Sequence, residues 1–262
     1  MQQIYESNSN PMTLNITIIC KGRKRFRIWA EDAGKKFSKY ADRIIEVENS
    51  RTIYFSFPVS PKNLFLGCLN ADNIKDDDFQ FILQEAPLKK YDIYEDDNTK
   101  KFVQLAINFS QVMGFRPPAQ QGTFYQTKDE QFRIKLLPQI INYNSGKLIN
   151  TPARIGHNTG IIEISWEKFA KYTIPMRVCI LLHEFSHKYK NPQIGLQISN
   201  EFGADINGLY IYLGNGFSKI DAICVFSKVF LRAQTEGNMQ RIRKIQSYIQ
   251  KFENQEYAKL VW

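Results

Sequence analysis

The sequence predicts a two-domain chain, an N-terminal all-β domain followed by an α+β domain. Two observations carry this. From Leu14 to about Leu83 the apolar residues alternate with polar ones in short runs, LNITIIC, RFRIWA, RIIEVE, TIYFSFPV and FQFILQ. Period-2 alternation rich in β-branched and aromatic residues marks strands, here at the spacing of a small sandwich or barrel. After about residue 98 the apolar spacing lengthens to the helical period. The intervening charged stretch APLKKYDIYEDDNTKK, Ala86 to Lys101, has no clear period and reads as a linker. The expected boundaries are 1–95 for a β-rich accessory or adaptor domain and 98–262 for the second domain.

Within the second part, Lys100 to Gly114 has helical spacing and a closing glycine. FRIKLLPQIIN and GIIEIS read as strands. A helix is expected to start near Pro175, to hold HEFSH, and to stop at Pro192. Three more helices follow: Asn200 to Leu213 with Gly214 behind it, one from Ser218 with Asp221 completing a capping box, and one over MQRIRKIQSYIQKF.

The bulk numbers set limits. The chain has 262 residues and is 43% hydrophobic, so a packed core is within reach and global disorder is excluded. Its net charge of +9 favours anionic partners without naming one. Cys20, Cys68, Cys179 and Cys224 form no CxxC pair and read as buried thiols of a reducing compartment. No apolar run is long enough to span a bilayer, and the N-terminus is polar, without an apolar signal core. The expected location is the cytoplasm or a virion or other assembly.

The chemistry concentrates in LLHEFSHKYKNP, Leu181 to Pro192. His183 and His187 are four apart, so on a helix both imidazoles can reach one ion. Glu184, beside the first, can address a water on that ion. The chain has three histidines, and two of them fall in this pattern. A catalytic zinc needs a third protein ligand and an open fourth position. NEFGAD, Asn200 to Asp205, can supply that ligand from a second helix returning antiparallel after the Pro and Gly connection.

HEFSH followed by Asn200, Glu201, Ala204 and Asp205 resembles the gluzincin branch of the zincin metallopeptidases, over about residues 160–214. Thermolysin-like members carry NExxxD after HExxH, and CAAX-prenyl and HtpX-type peptidases carry ExxAD. The resemblance implies a zincin-like α+β domain, a Zn2+ cofactor and a polypeptide substrate. It implies His183, His187 and Glu201 as ligands, Glu184 as general base, and Asp205 as acceptor from the free ring N–H of His183. It also implies that GIIEIS, with Ile161, Ile162 and Ile164, is an edge strand that pairs with extended substrate, against the plainer reading of a core strand. No motif marks a transition-state donor; Tyr189, His157 and Tyr210 are the candidates. CAAX-prenyl and HtpX-type enzymes are membrane proteins, and this sequence has no span.

Two further readings stay open. CKGRKRFRIWAEDAGKKFSK, Cys20 to Lys39, holds eight basic residues against two acidic ones with Phe26, Trp29 and Phe37 between them. That pattern suits nucleic acid, but a basic strand pair is the favoured reading. The chain also suits a structural or adaptor component of a phage virion or other assembly that retains a zinc-binding domain, with partners engaged through the β-rich part. The acidic run Asp76 to Asp78 reads as a solvated loop.

Overall fold

The computed structural model describes all residues except 36–37, 73–77, 115, 190, 193–200, 231–234, 257 and 262. Asn200, Phe37, Asp76 and Asp77 therefore lie outside the described residues. The chain is mixed β and α, β-rich in its N-terminal part. It divides into two compact units, one built on Met1–Lys90 with short later segments, the other on Tyr91–Asn215 and Lys219–Leu260.

The first unit is one antiparallel five-stranded sheet: β1 (Gln2–Glu6), β2 (Met12–Asp32), β3 (Lys39–Phe57), β4 (Asn63–Asn70) and β5 (Phe79–Ala86). Two long strands carry the sheet. β3 lines one side of β2, while β5 pairs with its first part at Thr13–Cys20 and β4 with its last at Phe26–Asp32. LNITIIC and RFRIWA are thus one strand, as are RIIEVE and TIYFSFPV. The polar KGRK between the first two runs is a register shift between Ile19 and Arg23, with Gly22 at φ +70°. A bulge with a left-handed glycine bends a strand without ending it. Leu14, Ile16 and Ile18 are fully buried on the inner face, as the alternation requires.

The second unit opens with β6 (Lys90–Asp92) and α1 (Asp97–Val112), so the stretch expected as a linker contains a strand and a helix start. Asp96 caps α1 by accepting from the Thr99 N–H at 2.7 Å. A four-stranded sheet follows, in the order β7 (Thr123–Gln126), β8 (Arg133–Leu137), β10 (Ile162–Ser165), β9 (Ala153–Ile155). α2 (Trp166–Phe169) leads into α3 (Ile174–Ser186), which begins as expected, with Thr173 as cap and Pro175 in the first turn. After α3 come α4 (Glu201–Gly214), α5 (Lys219–Val225), a π-helical turn at Phe226–Phe230, α6 (Glu236–Glu253) and β11 (Lys259–Val261).

α3 is the core helix. Val178 to Ser186 are all buried. Phe185 stacks on Phe102 of α1 and on Tyr189, each at 4.3 Å between ring centres. Arg177 is buried too, and its guanidinium donates to the carbonyls of Ser110, Phe169 and Ala170. These carbonyls lie at the ends of α1 and α2, where helix dipoles favour a cation. Burial alone lowers the Arg177 pKa to about 10, so it stays charged. α3 ends at Ser186, not at Pro192: His187 is its cap, and the Lys188 and Tyr189 amides turn back to the Phe185 carbonyl.

α4 packs directly on α3, and Gly208 makes this contact. A Cβ there would stand 2.9 Å from the His183 main-chain nitrogen and 3.0 Å from the Leu182 carbonyl carbon and oxygen. Those atoms are helix backbone and cannot rotate away. Glu201, Asp205 and Gly208 share one face of α4 at i, i+4 and i+7, so the contact at Gly208 brings both carboxylates toward the histidines.

Gly208→Ala is expected to destabilise the protein by roughly 1–3 kcal/mol, the usual cost of overpacking. Gly237, in the first turn of α6, has nothing within 4 Å of a built Cβ. Gly237→Ala should be neutral or stabilising by up to about 1 kcal/mol. Denaturant unfolding of the two variants checks this; equal effects would contradict the close-contact account.

Candidate metal site

The sequence places two imidazoles one turn apart on a helix that is buried on every side at that point. The structure converges them. His183 Nε2 and His187 Nε2 lie 3.2 Å apart. Glu201 on α4 adds its carboxylate, with Oε2 3.6 Å from His183 Nε2 and Oε1 3.6 Å from His187 Nε2. Ligand atoms about 2.0–2.1 Å from a tetrahedral ion sit roughly 3.3–3.4 Å from one another. The imidazole pair is close to that figure, each Glu201 oxygen faces a different imidazole, and one ligand atom from each residue lies within 4.8 Å of the others, so His183, His187 and Glu201 could hold one metal ion. His187 is the helix cap, yet it keeps helical dihedrals, φ −65° and ψ −25°, which preserves the i, i+4 geometry.

Asp205 fixes the first ligand from behind. Its Oδ1 lies 2.9 Å from His183 Nδ1, although the ring is turned so that the N–H does not point straight at it. A proton held on Nδ1 leaves the Nε2 lone pair free for a metal. Burial opposes a charged His183, but the hydrogen bond and charge of Asp205, with Glu184 and Glu201 nearby, raise its pKa. His187 is lowered, by burial first and then by His183.

Glu184 is buried, and the main-chain N–H of Ile155 in β9 lies near enough to its carboxyl to favour the charged form slightly. Burial raises its pKa to about 7, with a further push from Glu201 and partial relief from His183 and from the Ile155 N–H. A carboxyl poised near neutrality suits general acid–base work.

The surroundings correct several expectations. GIIEIS is not an edge: β10 pairs in parallel with β8 and antiparallel with β9. Ile162 and Ile164 are buried, and the Ile161 carbonyl accepts from the Gly156 N–H at 2.9 Å. Among the described residues the sheet's edges are β7 and β9, and β9 is the one beside β10. Pro152 and Gly156 bond to β10, so the main-chain groups of Ala153 and Ile155 project from the other side. The sequence of β9, ARI, is too short to carry a strand pattern, and that is why it was missed.

The three donor candidates fare differently. Tyr189 packs on Phe185 and edge-on to Phe132 at 5.2 Å, as an aromatic of the core margin. Tyr210 lies nine residues along α4 from Glu201, about 13 Å of helix rise. Its hydroxyl accepts from the Tyr94 N–H at 3.1 Å, which anchors it at that distance. His157 is exposed in the turn after β9, two residues from the Ile155 contact to Glu184.

Two residues of the site were not anticipated. Phe230, at the end of the π-helical turn, lays its ring on His183 at 4.2 Å. π-turns inside helices often mark functional sites. Arg241 of α6 reaches both carboxylates: its Nε and Nη2 take Asp205, and Nη2 lies 3.1 Å from Glu201 Oε2. The signal for Arg241 was present. It extends the buried stripe of α6 formed by Ile245, Tyr248, Ile249 and Phe252 by one turn. A charge on an apolar stripe implies a buried partner.

Four of the eight basic residues from Cys20 to Lys39 are held in ion pairs: Arg23 with Glu46, Arg25 with Asp72, and Arg27 and Lys39 with Asp42. None of the described helices is long and apolar enough to cross a membrane. No protein-family model matches this chain, and no curated protein or solved structure matches it.

The Glu184 environment has a consequence in the metal-free protein. Its folded pKa of about 7 stands above its ordinary 4.5. Between those values the folded state binds a proton that the unfolded state has lost, so this group makes stability fall as pH rises through the window. Glu184→Gln removes the effect. The metal-free variant should match wild type near pH 5 and exceed it by on the order of 1–3 kcal/mol near pH 8. Chemical unfolding at the two pH values tests this; a difference that does not change with pH would contradict it.

Proposed function

We propose that the chain is a zinc-dependent metallopeptidase of gluzincin type, acting on polypeptide. One observation carries the reading: His183, His187 and Glu201 converge, with nearest atoms 3.2–3.6 Å apart, beside the buried carboxyl of Glu184. Two imidazoles, one carboxylate and an open position are the donor set of catalytic zinc.

A zinc ion held there would lower the pKa of a bound water toward roughly 7 and polarise the carbonyl under attack. The protein's own groups do the rest. Glu184 takes the proton of the attacking water on its carboxylate and returns it to the nitrogen of the leaving amine. Asp205 keeps the His183 proton on Nδ1, so Nε2 stays available throughout. The outward main-chain groups of Ala153 and the Ile155 carbonyl on β9 can add an extended peptide as a further strand, which would carry a scissile bond past Glu184. This role was expected of Ile161, Ile162 and Ile164; β9 takes it because β10 is paired on both sides.

The test is cleavage of an unfolded protein by the full chain, with and without chelator, beside Glu184→Gln and His187→Ala. The expected result is metal-dependent cleavage by wild type. Glu184→Gln should keep its metal and lose at least about 100-fold in rate, while His187→Ala should lose both. Cleavage by Glu184→Gln at the wild-type rate would overturn the mechanism. Metal-loaded wild type that cleaves nothing would favour the alternative, a structural or adaptor component of a virion or other assembly.

A further inference from the structure

We propose that Arg241 is a positioning residue of the metal site, required to hold Glu201 and Asp205 in ligand geometry. The inference rests on reading His183, His187 and Glu201 as metal ligands.

The physical problem is on α4. Glu201 and Asp205 are four residues apart, so two like charges sit one above the other on the same helix face. Asp205 is fully buried, which makes an unpaired charge there costly. His183 touches Asp205 through a single nitrogen. Glu201 has the opposite difficulty. Its side chain is 62% exposed, so packing does little to choose its rotamer.

Arg241 answers both. Its Nε and Nη2 grip the two oxygens of Asp205, a planar fork that only arginine offers. The same Nη2 donates to Glu201 Oε2 at 3.1 Å and lies 3.3 Å from the Glu201 main-chain oxygen in the first turn of α4. One guanidinium therefore pins Asp205 with Oδ1 facing His183 Nδ1 and restrains Glu201 where both of its oxygens face the imidazoles. Arg241 is itself largely buried, its side chain 17% exposed, on the stripe that docks α6. It acts on the metal only through the two carboxylates.

The geometry allows an opposite sign. If Arg241 competes with the metal for Glu201, removing it would tighten metal binding. A purely structural staple would change stability and leave the site of the folded protein unaltered.

The experiment uses the full chain and Zn2+ or Co2+ alone, with affinity read by competition against a chromogenic chelator. Arg241→Met keeps the bulk and loses the charge; Arg241→Lys keeps the charge and loses the fork. The expected result is a 10–100-fold loss of affinity for the Met variant, of the order seen when groups that orient ligands are removed, with partial recovery in the Lys variant. In the metal-free protein, the ring 15N spectrum of His183 should show the Nδ1–H tautomer in wild type and a mixture in the variants. In an Asp205→Asn background the Arg241→Lys effect should shrink, because the two residues act as one unit. Should the Met variant fail to fold, the Lys variant and its His183 spectrum carry the test. Wild-type affinity and an unchanged His183 spectrum in a folded Arg241 variant would overturn the proposal, as would tighter binding. His183→Ala separates the two levels of inference. Loss of metal in His183→Ala with none in the Arg241 variants refutes only the role of Arg241. A wild-type chain that binds no metal refutes the site as well.

Discussion

The candidate site depends on how closely two helices can approach. Gly208 lets the backbone of α4 lie against the main chain of Leu182 and His183. A Cβ there would stand 2.9–3.0 Å from those atoms, so the helices would have to part by several tenths of an ångström or more to reach ordinary contact. Metal ligation is intolerant on that scale, since bond lengths vary by only tenths of an ångström. The first ligand pair belongs to α3 alone and is set by the i, i+4 rule. The third ligand belongs to α4 and is set by interhelical packing. Gly208 links the two.

A second constraint is electrostatic. The site gathers Glu184, Glu201, Asp205, two imidazoles and Arg241 at the buried junction of α3, α4 and α6. Each buried charge has a specific answer. Asp205 has Arg241 and His183, and Glu184 has the Ile155 N–H and a raised pKa. Phe230 closes one face of His183, and Phe185 anchors α3 through Phe102. Ligand histidines on a helix that cannot shift, with the exposed Glu201 as the adjustable member, describe a preorganised site with one open side.

Much of this was legible in the sequence, and the parts that were not share a cause. HEFSH follows from local periodicity, which one helix can express, whereas the approach of Glu201 and Asp205 to the histidines was implied by the resemblance carried in NEFGAD. The strands of the first unit were legible by alternation, but KGRK looked like an interruption where the chain only bulges. The edge strand was misassigned because pairing is a tertiary fact: GIIEIS has the stronger β pattern, and burial on both sides made it so. Tyr189 and Tyr210 were plausible donors by residue type, and their ring packing and the Tyr94 contact lie beyond any local pattern. Arg241 stands thirty-six residues after Asp205, and only its place on an apolar stripe hinted at a buried partner.

The central claim is that one ion sits among His183, His187 and Glu201. Anomalous diffraction at the zinc edge, from crystals grown with the metal, tests it most directly. The account predicts one strong peak per chain, about 2.0–2.2 Å from His183 Nε2, His187 Nε2 and a Glu201 oxygen, with a water completing the shell. No peak at that position, or a peak ligated by other residues with these three left free, would contradict it.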